Sequence, residues 1–160
     1  MMWISCLIIL IYIIWMLWEH QYIPVSLSST YYNSNEKPWF TIAIILTTAF
    51  MIVPLLEITP EDDQWLVFLS CIGNLFCAFA PKFREELEGK VHYIGAYTAG
   101  ILSQLWCCLY NSYTLWIWGI FCILIMFLYL YEWANDKDST VAFWAELLCF
   151  MNIYLTYSLL

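Results

Sequence analysis

Six long apolar stretches divide this chain: Trp3–Trp18, Trp39–Leu56, Trp65–Ala80, Val91–Tyr110, Thr114–Tyr131 and Thr140–Leu160. Each approaches the ~20 residues a helix needs to cross the ~30 Å hydrocarbon core of a bilayer. A soluble fold cannot absorb them. In a chain of 160 residues, 64% apolar or aromatic and 11% charged, the surface-to-volume ratio would leave much apolar area in water. Soluble domains carry about 25% charged residues. The pattern predicts an all-α integral membrane protein, with residues 1–160 forming a single domain that is a compact bundle of six transmembrane helices.

The boundaries agree with that reading. Trp18, Trp39, Trp65 and Trp133 fall at span ends, where indole rings favour the headgroup region. Only Asn111, Ser112 and Tyr113 separate the fourth and fifth spans, which predicts a tight helical hairpin. The first span has no basic segment before it and no A-x-A cleavage pattern after it, so it reads as a retained helix. The net charge of −8 with five Lys and Arg argues against a nucleic-acid partner, which would need a basic face. Seven cysteines lie inside apolar runs, with no two-residue spacing between any pair. They read as small polarisable packing groups, and no metal, cofactor or disulfide is assigned to them.

The spans differ in chemistry. The fifth is apolar all round and is expected to face lipid. The fourth places His92, Ala96, Ala99 and Ser103 at helical spacing beside Gly95 and Gly100, and such small residues let membrane helices approach closely. The third carries Ser70, Gly73, Asn74 and Cys77 on a comparable stripe, and the sixth carries Glu146, Cys149 and Asn152. These stripes are expected to face one another, turning their polar groups inward.

If six helices alternate, the first, third and fifth loops share one face. All five basic residues (Lys37, Lys82, Arg84, Lys90 and Lys137) lie there. The positive-inside rule then puts that face in the cytoplasm and the N-terminus outside. On the opposite face, Glu61, Asp62 and Asp63 follow Thr59 and Pro60. That order reads as a helix N-cap with a capping acid rather than a cation site. Residues 81–90 read as one or two interfacial helical turns ended by Gly89, first as a solvated connector and alternatively as a lid or headgroup clamp with Arg84 a planar donor for a phosphate.

Three segments, taken together, resemble a known family. They are the first loop Ile23-Pro24-Val25-Ser26-Leu27-Ser28-Ser29-Thr30, the helix start Val91-His92-Tyr93-Ile94-Gly95-Ala96, and Ala145-Glu146-Leu147-Leu148 in the last span. Their order and spacing resemble the six-helix FRAG/DRAM/Sfk superfamily and its small bacterial relatives. That family pairs a Pro-x-x-Ser first loop with a His-x-x-Gly-Ala helix start and a Glu near the top of the last helix; here Leu147 follows that acid where Trp is common. The resemblance implies a multi-pass protein of the bacterial inner membrane; eukaryotic members of the family act in membrane lipid handling and autophagy, and the bacterial relatives have no assigned function. It implies an N-terminus inside, opposite to the charge rule. It also carries forward Ser26, Ser28, His92 and Glu146 as candidate site residues.

Physically these positions form a set. An acid in a membrane span costs a few kcal/mol, so Glu146 should face the interior and have a partner. His92, one turn into its helix, is expected within hydrogen-bond reach of it directly or through one water. The long Ser-rich loop between Pro24 and Pro38 is expected to fold back over the bundle. The function read first is binding or remodelling of membrane lipid through an inward polar pocket open to the first-loop face, with Ser26, Arg84, His92 and Glu146 as headgroup contacts. An alternative is an intramembrane serine-type lipid hydrolase or acyltransferase. Ser28 would be its nucleophile, His92 its base, and Glu146, Glu132 or Asp136 the orienting acid. A small transporter or channel is the third reading, resting on Glu146, Asn74 and Gln104 at membrane depth. A three-His zinc hydrolase is excluded, since His20 and His92 are the only histidines. Membrane lipid is the expected partner, and a second copy or another membrane protein is left open.

Overall fold

The computed structural model describes residues 1–33, 38–80, 85–135 and 137–160. Among the described residues helix is the regular secondary structure, joined by short turns and loops, with no strand. Helices α1 (Met2–His20), α3 (Pro38–Ile58), α4 (Gln64–Phe79), α5 (Glu85–Tyr110), α6 (Thr114–Ala134) and α7 (Val141–Leu159) correspond to the six apolar stretches, and α2 (Thr30–Asn33) is a single turn in the first loop. Of these, α1, α3, α6 and α7 are long and apolar enough to cross a membrane. The other two fall outside that description for different reasons. Helix α4 has only 16 residues, whereas α5 is long enough but is diluted by Thr98, Ser103, Gln104 and its glycines and tyrosines.

The charged start of α5 differs from the sequence reading. Residues from Glu85 onward continue without a break into the apolar part, and Gly89 does not end a turn. Glu, Leu and Lys are strong helix formers, so one glycine does not stop the helix. Arg84 lies outside the described residues. A second difference concerns Thr59. Its hydroxyl donates to the Leu55 carbonyl at 2.6 Å and accepts the Trp106 indole N–H at 2.9 Å, so it closes α3 and anchors α5 instead of capping α4. Glu61–Asp63 form a short 3-10 turn, and Asp63 accepts the Tyr110 hydroxyl at 2.7 Å.

Packing follows the small-residue stripes. A Cβ built on Gly73 would lie 2.6 Å from both the Ala99 nitrogen and the Gly95 carbonyl oxygen, and one on Gly95 would lie 2.7 Å from the Gly73 oxygen. Helices α4 and α5 therefore meet backbone to backbone, which only glycine at these positions allows. Ser70 adds a hydrogen bond to the Ala99 carbonyl at 3.1 Å. Gly100 is not part of this contact, since a Cβ there meets nothing within 4 Å.

The buried core draws on α1, α3, α4, α5, α7 and Leu27 of the first loop. Helix α6 stands apart: among its residues only Thr114 and Glu132 are buried. It is held to the bundle at three levels. Thr114 donates to the Cys107 carbonyl at 3.2 Å, Trp118 donates its indole N–H to Gln104 at 3.0 Å, and Glu132 accepts both the backbone N–H and the hydroxyl of Thr140. Asn111, buried in the α5–α6 hairpin, donates to Thr156 on α7 at 3.2 Å and accepts the Tyr113 N–H at 3.0 Å.

Candidate functional site

The first loop folds inward for reasons visible in its residues. Gln21 ends α1 in the left-handed region at φ 57°, donating its N–H to Leu17, and reverses the chain. Ser26 and Ser29 then form a reciprocal pair. The Ser29 N–H donates to Ser26 Oγ at 3.0 Å, and the Ser26 N–H donates to Ser29 Oγ at 3.2 Å. This is the capping-box arrangement that starts a helix, and the turn α2 follows. Thr30 closes the turn by donating to the Leu27 carbonyl and bonding the Tyr12 hydroxyl of α1. Pro24, Leu27, Ser28 and Thr30 are consequently buried.

Two bonds join this loop to α7. The Phe143 N–H donates to the Val25 carbonyl at 3.0 Å, satisfying a donor that the start of a helix leaves open. One turn deeper, the Leu27 N–H donates to Glu146 Oε2 at 2.6 Å. The buried loop thus supplies the acid's polar contact from its backbone.

Below Leu27 and Ser28 lies a half-open cleft between α3, α4, α5 and α7. Toward the first loop it is lined by Ser28, Asn74, His92 and Glu146, with the apolar Leu27 and Phe40 beside them. Its deeper part is mostly apolar, formed by Ile44, Ala99, Phe150 and Ile153, with Gly100 and Ser103 on the α5 side. Cys77, also lining it, donates its thiol to the His92 carbonyl at 3.6 Å, which fixes the start of the α5 wall against α4. The small stripe makes this cleft possible. Because α4 and α5 touch through glycines, their larger side chains are carried to either side, and Ala96, Ala99 and Gly100 leave the space beside α7 unfilled.

Ser28, His92 and Glu146, picked out from sequence, therefore line one cavity. Glu146 and Ser28 each make one hydrogen bond to the loop, Glu146 Oε2 accepting the Leu27 N–H and Ser28 Oγ pairing with Ser26 Oγ at 3.1 Å. Ser26 sits above the cleft as the loop's capping residue. Glu132 is elsewhere: both its carboxylate oxygens face the Thr140 N–H, at 3.1 and 3.2 Å, and one accepts the Thr140 hydroxyl at 2.6 Å. It clasps α6 to α7 and does not orient His92. Arg84 and Asp136 lie outside the described residues. Gln104 also leaves the candidate set. It donates to the Cys149 carbonyl at 3.2 Å and accepts from Asn152 and Trp118 at 2.8 and 3.0 Å, so it ties α5, α6 and α7 together. The residue that sequence reasoning missed is Leu27, whose contribution is a backbone N–H.

No family model, curated protein or solved structure matches this chain.

Proposed function

We propose that the chain is a multi-pass protein of the bacterial inner membrane with six crossings, which binds or remodels membrane lipid in the cleft beneath the first loop. The observation that carries this reading is the cleft's polarity gradient. Four polar side chains stand at the end near the first loop, and apolar groups continue toward the middle of the bundle. Lipid has the same division, a polar head above an apolar chain. Glu146 lies five residues into α7, or ~7.5 Å at 1.5 Å per residue, a depth that headgroup atoms reach. The short α4 suits six crossings because it packs backbone to backbone on α5 at Gly73, Gly95 and Ala99. The similarity to the FRAG/DRAM/Sfk superfamily supports the same reading.

The test fills the cleft. Gly100 lines it, and a side chain there meets no neighbour at Cβ, so Gly100→Leu should occupy the space without disturbing the helix contact. Native mass spectrometry of the purified chain should find lipid retained by the natural sequence and lost from Gly100→Leu at unchanged helix content. Equal retention by both would exclude the cleft as the lipid site.

A second reading, a serine-type lipid hydrolase or acyltransferase, is supported by Ser28, His92 and Glu146 lining one cavity. Fluorophosphonate labelling that disappears in Ser28→Ala would favour it over binding alone.

A further inference from the structure

The charges lining the cleft narrow the ligand further. Among the described residues lining it, Glu146 is the one carboxylate, His92 is the one side chain able to become cationic, and there is no lysine or arginine. Glu146 Oε2 accepts the Leu27 N–H, while its second oxygen has no hydrogen bond among the described residues. Asn74 and Ser28 place two further acceptors at the same end. A half-buried carboxylate with an open oxygen is costly unless a donor, best of all a cation, meets it. An anionic headgroup would instead face like charge.

We infer that the cleft selects a lipid whose headgroup carries a primary ammonium, with Glu146 as its acceptor and Asn74 and Ser28 completing its three N–H contacts. An ammonium has three donors and no acceptor, which matches a site that offers acceptors. A quaternary ammonium has the same charge and no N–H, so it separates hydrogen bonding from charge alone. This inference rests on the lipid-cleft reading, and the experiment separates the two.

The full-length chain is reconstituted into nanodiscs containing equal fractions of phosphatidylethanolamine, phosphatidylcholine and phosphatidylglycerol with matched acyl chains. Lipids that remain bound after transfer to detergent are counted by native mass spectrometry. Phosphatidylethanolamine should be retained about tenfold over phosphatidylcholine, the size expected when a charge-assisted hydrogen bond is lost, and Glu146→Gln should erase that preference. Dodecylamine should raise the melting temperature of the detergent-purified chain, and dodecyltrimethylammonium should not. Equal retention of the three lipids, with Gly100→Leu still losing all of them, overturns the ammonium assignment and leaves the cleft reading standing. Retention untouched by Gly100→Leu overturns both. A dodecylamine response without phosphatidylethanolamine enrichment makes the ligand a free amine and overturns the headgroup assignment. The headgroup comparison on the natural sequence decides the matter even if Glu146→Gln does not fold.

Discussion

The backbone N–H of Leu27 donates to Glu146 Oε2 at 2.6 Å, across 119 positions of sequence. An acid inside a membrane helix thus meets the main chain of a loop. Hydrogen bonds to charged groups contribute about 1.5–3 kcal/mol, and an orphaned buried donor costs about 1–3 kcal/mol. Glu146→Leu should therefore lower stability in detergent by about 2 kcal/mol, and Glu146→Gln, which keeps an acceptor, by less. The loop should also loosen. A cysteine replacing the buried Ser28 should react with maleimide faster in the Glu146→Leu background than with Glu146 present, and an unchanged rate would show that the bond does not hold the loop.

The glycines divide into two groups with opposite expectations. Gly73→Ala drives a methyl into the backbone of α5 at 2.6 Å, where no side chain can give way. Overpacking of this kind costs about 1–3 kcal/mol. Gly119→Ala meets nothing within 4 Å and gains about 0.5–1 kcal/mol from helix propensity. Thermal unfolding should show Gly73→Ala melting below the natural sequence and Gly119→Ala at or above it; the reverse order would refute the backbone-to-backbone contact.

Glu132, 4% exposed, is a clasp, and removing it should act on the hairpin alone. Glu132→Ala should speed hydrogen exchange at the Thr140 amide and proteolysis between α6 and α7, while lipid retention in the cleft stays as it was. Loss of lipid together with an intact hairpin would give this acid a role in the site after all.

Membrane orientation separates charge from resemblance. If the six helices alternate across the membrane, all five basic residues fall toward the first-loop face, and the positive-inside rule places that face in the cytoplasm. Ser34→Cys in an otherwise cysteine-free chain should then resist an impermeant maleimide in intact cells and react after permeabilisation. Labelling in intact cells would place the N-terminus inside.

The sequence made some of this visible. Hydropathy placed the six apolar helices within a few residues at most ends, and the small-residue stripes named the α4–α5 contact because only Gly73, Gly95 and Ala99 permit it. What escaped were partners that have no letter in the sequence. Leu27 reads as an apolar loop residue, and its N–H is invisible to any motif. Thr59 looked like a cap because Pro60 and three acids follow it. Its hydroxyl was claimed by Leu55 behind it and Trp106 on another helix, neither of which local pattern can foresee. The start of α5 reads as separate interfacial turns because Gly89 follows them, although Glu, Leu and Lys on either side favour helix strongly enough to carry it through.

Helix α6 exposes nearly its whole circumference and is held by Thr114, Trp118 and Glu132. A helix with so few obligations is free to drift. Saturation mutagenesis should find Leu115, Ile120, Ile123, Leu124 and Phe127 close to neutral toward any other large apolar residue, each being more than half exposed. Intolerance should collect at the three attachment points. Among descendants of this sequence, α6 should therefore be the segment that diverges fastest in identity while holding its hydrophobicity constant.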